Sequence, residues 1–182
     1  FRSKHSRDKK SEGPWVIQVL KVDRSDKKIG FYTPLARGQI LGVSRLSEQA
    51  SLLPKEIGTA LAGVNGDFYE REDKTFAGDP RGLQLVDGEM VSGPSTFTVW
   101  FDAEETPHLD EVKGDFKVRW PNGKTSAFGL NEQRNLMTNV LYTPTYGEST
   151  RISGGQDLIL AREGDGAWLP IKPNQTYRAK VL

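Results

Sequence analysis

The stretch Leu61-Ala62-Gly63-Val64-Asn65-Gly66-Asp67-Phe68-Tyr69-Glu70 governs how the whole chain is read. Residues 60–64 are small and apolar, as a strand buried on both faces would be. They run straight into Asn65-Gly66-Asp67, where glycine permits backbone angles that other residues avoid. Two aromatics follow, then a polar, charged loop. A buried strand ending here would deliver a carboxylate and two rings to its tip, and loops held by a rigid scaffold carry function disproportionately. The competing reading is a plain hairpin turn, the commonest meaning of Asn-Gly between apolar runs.

Upstream of this stretch, Ser44 can cap a short helix in which Leu46, Ala50 and Leu53 share a face, with Pro54 ending it. Earlier still, residues 15–23 read as a first strand, residues 25–28 as its turn and residues 29–33 as the returning strand. Downstream the pattern is strand after strand. Leu83 and Leu85 alternate with Gln84, and Asp87-Gly88 makes a turn before Met90-Val91. Phe97, Val99 and Phe101 share a face. Phe116, Val118 and Trp120 do likewise and are expected inside, with Lys117 and Arg119 outside. Pro121-Asn122-Gly123-Lys124 is a hairpin turn leading to residues 125–130. Residues 158–161 and 177–182 flank the turn-rich Glu163-Gly164-Asp165-Gly166, with Tyr177, Ala179 and Val181 patterned as a half-buried strand. The fold class expected is α+β: mostly antiparallel β-sheet with one or two short helices packed on it.

With 182 residues the chain is long enough for one domain with a real core. Residues 1–13 read as a flexible basic arm and 14–182 as the domain. Charged residues make up 27% but balance to a net +1, which gives no reason to expect nucleic acid as a partner. No apolar run approaches a transmembrane segment. There is no cysteine, so disulfides, thiolate nucleophiles and cysteine-bound zinc are excluded. The first residue is Phe1 rather than Met, consistent with a processed chain that has lost a leader. Only two histidines occur, His5 and His108, too few for a multi-histidine metal site. A serine triad would need His108, and no Gly-x-Ser-x-Gly elbow accompanies it. Neither a Walker loop nor a dinucleotide fingerprint is present. Carboxylates remain, and they crowd the key loop: Asp67, Glu70, Glu72, Asp73 and Asp79.

Three blocks in order carry a resemblance. Val64-Asn65-Gly66-Asp67-Phe68-Tyr69 is similar to the Asn-Gly-x-Phe-Phe/Tyr signature of the phosphodiester glycosidases. Pro80-x-Gly82-Leu83-x-Leu85-x-Asp87-Gly88-Glu89-x-Val91 resembles its second half. Leu141-Tyr142-Thr143-Pro144-Thr145-Tyr146-Gly147 resembles a later Tyr-Thr-Pro segment. The likeness runs from about Val16 to the last residue. The family's Gly-rich Asp-Gly-Gly-Gly-Ser segment does not occur here, so the chain resembles the front part of the domain, to be completed by a C-terminal segment or a second chain. An open sheet edge or apolar groove is accordingly expected beside residues 177–182.

The resemblance implies hydrolysis of the bond between an anomeric carbon and a phosphodiester, as on N-acetylglucosamine 1-phosphodiesters, in a phosphorylated glycan or envelope polysaccharide. It also implies a secreted or cell-envelope location. No cofactor is expected, and no metal, because the spacing of Asp67, Asp73 and Asp79 fits no cation-binding loop. A phosphate leaving group departs more easily than an alcohol and needs cationic or N–H partners, with Arg favoured for its planar fork. Arg81 is the candidate for that role, ahead of Arg71 and Lys74. Asp67 is the candidate for orienting sugar or water at the anomeric carbon, with an Asx-turn as the alternative. Asn65, Gly66, Phe68, Tyr69 and Gly82 are the candidate substrate-binding residues, the two rings being equally readable as core. Asn65, Asp67 and Arg81 are expected to converge on one cleft. The alternative from a different class is a non-catalytic carbohydrate- or envelope-binding module.

Overall fold

The structure is a computed structural model that describes residues 16–66, 68–93, 97–135 and 137–182. The basic arm and Trp15 lie outside the described residues. The chain divides into two compact units, Phe1–Phe31 and Tyr32–Leu182. In the first, the described residues form turns and no strand: Asp23 and Asp26 each accept backbone N–H groups two residues on, from Ser25 and Lys28. The expected opening hairpin is therefore corrected. Local carboxylate–backbone bonds satisfy the turn, and among the described residues no ladder forms beside it.

The second unit is built from short strands paired locally. β1 (Gln84–Val86) and β2 (Glu89–Ser92) form an antiparallel hairpin. Its tip residues, Asp87 and Gly88, have φ of 50° and 77°, the geometry that matches the strand twist in a two-residue turn. β3 (Phe97–Phe101) and β4 (Pro107–Glu111) make the longest hairpin. β5 (Lys117–Arg119) and β6 (Thr125–Ala127) close through the Asn122-Gly123 turn, Trp120 and Lys124 exchanging a backbone bond at 2.8 Å. β7 (Gly129–Leu130) and β8 (Val140–Leu141) pair in parallel, and β9 (Leu160–Arg162) with β10 (Ala179–Val181) antiparallel. One helix, α1 (Leu46–Ser51), and 3-10 turns at Ala36–Gly38 and Pro144–Tyr146 complete the elements. No helix of the described residues is long and apolar enough to cross a membrane.

Mostly antiparallel pairing with one short helix fits the expected class, but a single sheet is not what the described residues form. Five separate two-stranded pairs take its place. With strands of two to five residues closed by local turns, pairing is satisfied within each hairpin and does not propagate sideways. Two further expectations are corrected. Ser44 does not cap α1; its hydroxyl has no partner among the described residues, the N-cap is Arg45, and the helix buries no residue. Residues 60–64 are not a buried strand: Leu61 is 80% and Val64 78% exposed, and no described segment ladders with them. Small apolar residues suit a doubly covered strand only where neighbours exist on both sides.

The core lies in the second unit: Ile40, Leu41, Phe76, Val91 and Tyr146, with Leu35, Val86, Tyr142 and Ile152 packed against it. Asn131, fully buried, ties it together. Its Nδ2 donates to the Val91 carbonyl and to Thr143 Oγ1, each at 3.0 Å, and its Oδ1 accepts from the Thr143 N–H at 2.8 Å. Glu89 Oε1 accepts from Thr145 Oγ1 at 3.0 Å. Polar bonds thus lock the second and third motif blocks into one packed unit, with no buried polar group of Asn131 left over.

The alternation at 116–120 stands as expected: Phe116, Val118 and Trp120 are half-buried, while Lys117 and Arg119 are exposed. The same period in β3 leaves Phe97, Val99 and Phe101 on an exposed face. Ala179 and Val181 are likewise exposed rather than half-buried, and Leu158, Ile159 and Leu182 beside them are at least half in solvent. The expected open apolar edge near residues 177–182 is present.

Candidate cleft at Arg81 and Asp79

The first two motif blocks meet through backbone pairing. Tyr69 and Pro80 form an antiparallel bridge. On either side of it the Glu70 N–H donates to the Asp79 carbonyl at 2.8 Å and the Arg81 N–H to the Phe68 carbonyl at 3.0 Å. Gly78 makes the approach possible. Its N–H reaches the Glu70 carbonyl at 3.0 Å, its φ is 99°, and a Cβ there would collide with the Gly42 backbone. Only glycine meets both conditions.

The loop returns on the Glu70 carboxylate. Oε1 accepts from the Glu72 and Asp73 N–H groups at 2.8 and 3.2 Å, while Oε2 accepts from Arg81 Nη2 at 2.7 Å. The Arg81 bond first, then the two backbone donors, hold this carboxyl down at about 2. Glu70 thereby fixes both the loop and the guanidinium.

Asp79 has the opposite character. It is buried; Oδ2 accepts from the Gln133 N–H at 3.2 Å, and Oδ1 has no partner among the described residues. Burial is the main reason its carboxyl is pushed up to about 6; Glu132 and Glu70 add to the rise, against the Gln133 N–H and Arg81. Glu132 is also raised, by removal of its carboxyl from water. That carboxyl occupies the space a Cβ on Gly129 would need.

These groups line one cleft of about 490 Å³, with Glu70, Asp79, Arg81 and Glu132 supplying charge and Phe116 and Phe128 supplying an aromatic wall. The two rings lie 5.6 Å apart, tilted by 31°. A cation fixed by a carboxylate, a buried acid raised to about 6 and an apolar wall can grip an anion, exchange a proton and contact a sugar face. Among the described residues, no group of three or more His, Asp or Glu is arranged to hold a metal.

Among the described residues, Arg81 is the one residue of the predicted site that lines this cleft. Gly82, next in the chain, is buried. Phe68 and Tyr69 pair by backbone with Arg81 and Pro80, and their side chains are 83% and 42% exposed rather than core. Asn65 and Gly66 are exposed and do not line the cleft. Asp67 lies outside the described residues; of the other two residues expected to converge, Arg81 lines the cleft and Asn65 does not. His108 bonds Asp102 at 2.8 Å and stacks on Trp100 at 4.3 Å, clasping the β3–β4 hairpin.

Sequence reasoning missed Asp79 and Glu132 as site residues. Asp79 had a signal, its place beside Pro80 in the second block. Glu132 had none: it stands in a polar Asn131-Glu132-Gln133-Arg134 run that reads as loop. Comparison with family models, curated proteins and solved structures finds no match to this chain.

Proposed function

We propose that the chain hydrolyses sugar-1-phosphodiesters, on a phosphorylated glycan or cell-envelope polymer outside the cytoplasm, as a phosphodiester glycosidase. The observation that carries the reading is the position of Arg81: the pairing of the two resemblance-bearing segments delivers its guanidinium, oriented by Glu70, to a cleft that also holds carboxyls and an aromatic wall. Arg81 binds the phosphate, whose charge grows as the anomeric bond breaks. Asp67 orients sugar or water at the anomeric carbon. The exposed rings of Phe68 and Tyr69 contact the sugar face, Asn65 and Gly66 shape the loop that carries them, and buried Gly82 supports Arg81.

One observation favours a binding module instead: Glu70 already engages Arg81, and a permanently neutralised cation holds an anion without developing extra stabilisation as charge grows. Turnover of the methyl phosphodiester of N-acetylglucosamine 1-phosphate separates the two. The hydrolase reading expects product, with Arg81→Ala lowering kcat about 100- to 1,000-fold while the fold persists. Saturable binding without turnover by the native chain selects the module. Neither binding nor turnover removes both.

A further inference from the structure

Two carboxyls of the cleft have no role in the reading above. Asp79 is 9% exposed, with one oxygen bonded to the Gln133 N–H and the other unpartnered among the described residues. Glu132 immediately precedes that donor, so one piece of backbone both anchors Asp79 and delivers Glu132 to the same cleft. The fit depends on glycine: a Cβ on Gly129 would take the place of the Glu132 carboxyl. A buried carboxyl with a spare oxygen, in a cleft that a second carboxyl also lines, is an arrangement that stability alone does not call for.

We infer that Asp79 and Glu132 are the proton-handling pair of this cleft, Asp79 giving its proton to the departing phosphate and Glu132 taking one from the attacking water. The inference rests on the hydrolytic reading and names its acid and base. In the step, the bond from the anomeric carbon to the phosphate oxygen breaks, its electron pair staying on that oxygen, which receives the Asp79 proton. The water oxygen forms the new bond to the anomeric carbon and loses a proton to Glu132. Release of the Glu132 proton to water and uptake of one from water by Asp79 restore the starting state, and no other reactant is consumed.

The acidities match the task. A phosphate monoester dianion takes up one proton at about pH 6, and burial raises Asp79 to about 6. Donor and acceptor are then balanced, which is where general acid catalysis is most effective near neutral pH. The groups facing Asp79 are Glu70 and Arg81 from its own paired segment, Glu132 from the chain beyond β7, and Tyr146 from the core. Glu70 is committed to Arg81 and two backbone donors. Tyr146 is held neutral by burial. Glu132 is the remaining carboxyl that lines the cleft and raises Asp79.

The test uses the full chain and the methyl phosphodiester of N-acetylglucosamine 1-phosphate, followed as kcat/KM from pH 4 to 9. Asp79 must be protonated to donate, so the rate falls as pH rises through about 6. Asp79→Asn should lower kcat at least 100-fold and abolish that limb. Glu132→Gln removes a like charge beside Asp79, so the limb should move to lower pH. Carboxyl-carbon NMR of the native chain and of Glu132→Gln reads the Asp79 titration directly, whatever the activity, and should show the same displacement. A native chain that turns over, with Asp79→Asn within threefold of it and the limb unmoved, overturns the pair and leaves the hydrolase reading standing. An unmoved Asp79 titration in Glu132→Gln overturns the coupling. No turnover by the native chain overturns the hydrolase reading and the donor role with it.

Discussion

At the scale of single residues, Asp79 and Asn131 show burial used in opposite ways. Asn131 is fully enclosed, and the Val91 carbonyl and the Thr143 N–H and hydroxyl meet its amide. Its φ of 51° is one that Asn tolerates better than most residues. Asn131→Ala leaves those partners unsatisfied and should cost roughly 2–4 kcal/mol in urea unfolding. Asp79 pays a desolvation penalty that is relieved by protonation. Its folded pKa of about 6 lies above the unfolded value, so the folded state is favoured most below the unfolded pKa. That advantage is lost as pH rises through about 6. Stability should therefore decline by on the order of 2 kcal/mol between pH 4 and pH 8 from this group. In Asp79→Asn that component of the slope should vanish; an unchanged slope would mean that Asp79 is as well solvated folded as unfolded.

At the scale of elements, the turns were legible and the context of the strands was not. Asp87, Gly88 and Gly123 sit at hairpin tips because positive φ is required there and few residues accept it. Period-two patterning found β5, whose apolar face has Phe128 and Gly93 to pack against. It also found β3, but Phe97 and Val99 stay exposed, because alternation states which residues share a face and not whether anything covers it. Residues 60–64 failed for the same reason. Arg81 could be chosen from its motif, whereas Glu132 is brought in by the β7–β8 pairing, a contact no local pattern announces. Two glycines test the local architecture by contrast. Gly78→Ala meets the Gly42 backbone at φ 99° and should destabilise by roughly 3 kcal/mol or unfold the chain. Gly129→Ala meets only the mobile end of Glu132, so urea unfolding should change by about 1 kcal/mol or less while Glu132 is displaced from the cleft. Equal destabilisation by both would contradict these packings.

For the molecule as a whole, the question is which part must be present for the rest to fold. Every member of the main core cluster, and every residue lining the Arg81 cleft, belongs to the unit Tyr32–Leu182. In the unit Phe1–Phe31 none of the described residues is buried; Val22 and Ile29 are half-buried and the rest, including Val16 at 85% and Val19 at 86%, are exposed. The slope of stability against urea grows with the surface that unfolding uncovers. Residues already exposed add little to it, and apolar burial at about 25 cal/mol per Å² adds little stability where little area is buried. Replacing Val16, Val19 and Leu20 by Ser should therefore leave the urea slope within about 15% and the stability within about 1 kcal/mol of the native chain, within the reach of the linear extrapolation. The substituted chain should also keep the native pH profile on the sugar-1-phosphodiester probe. A large fall in slope or stability would show that these apolar side chains are buried in the folded protein in solution.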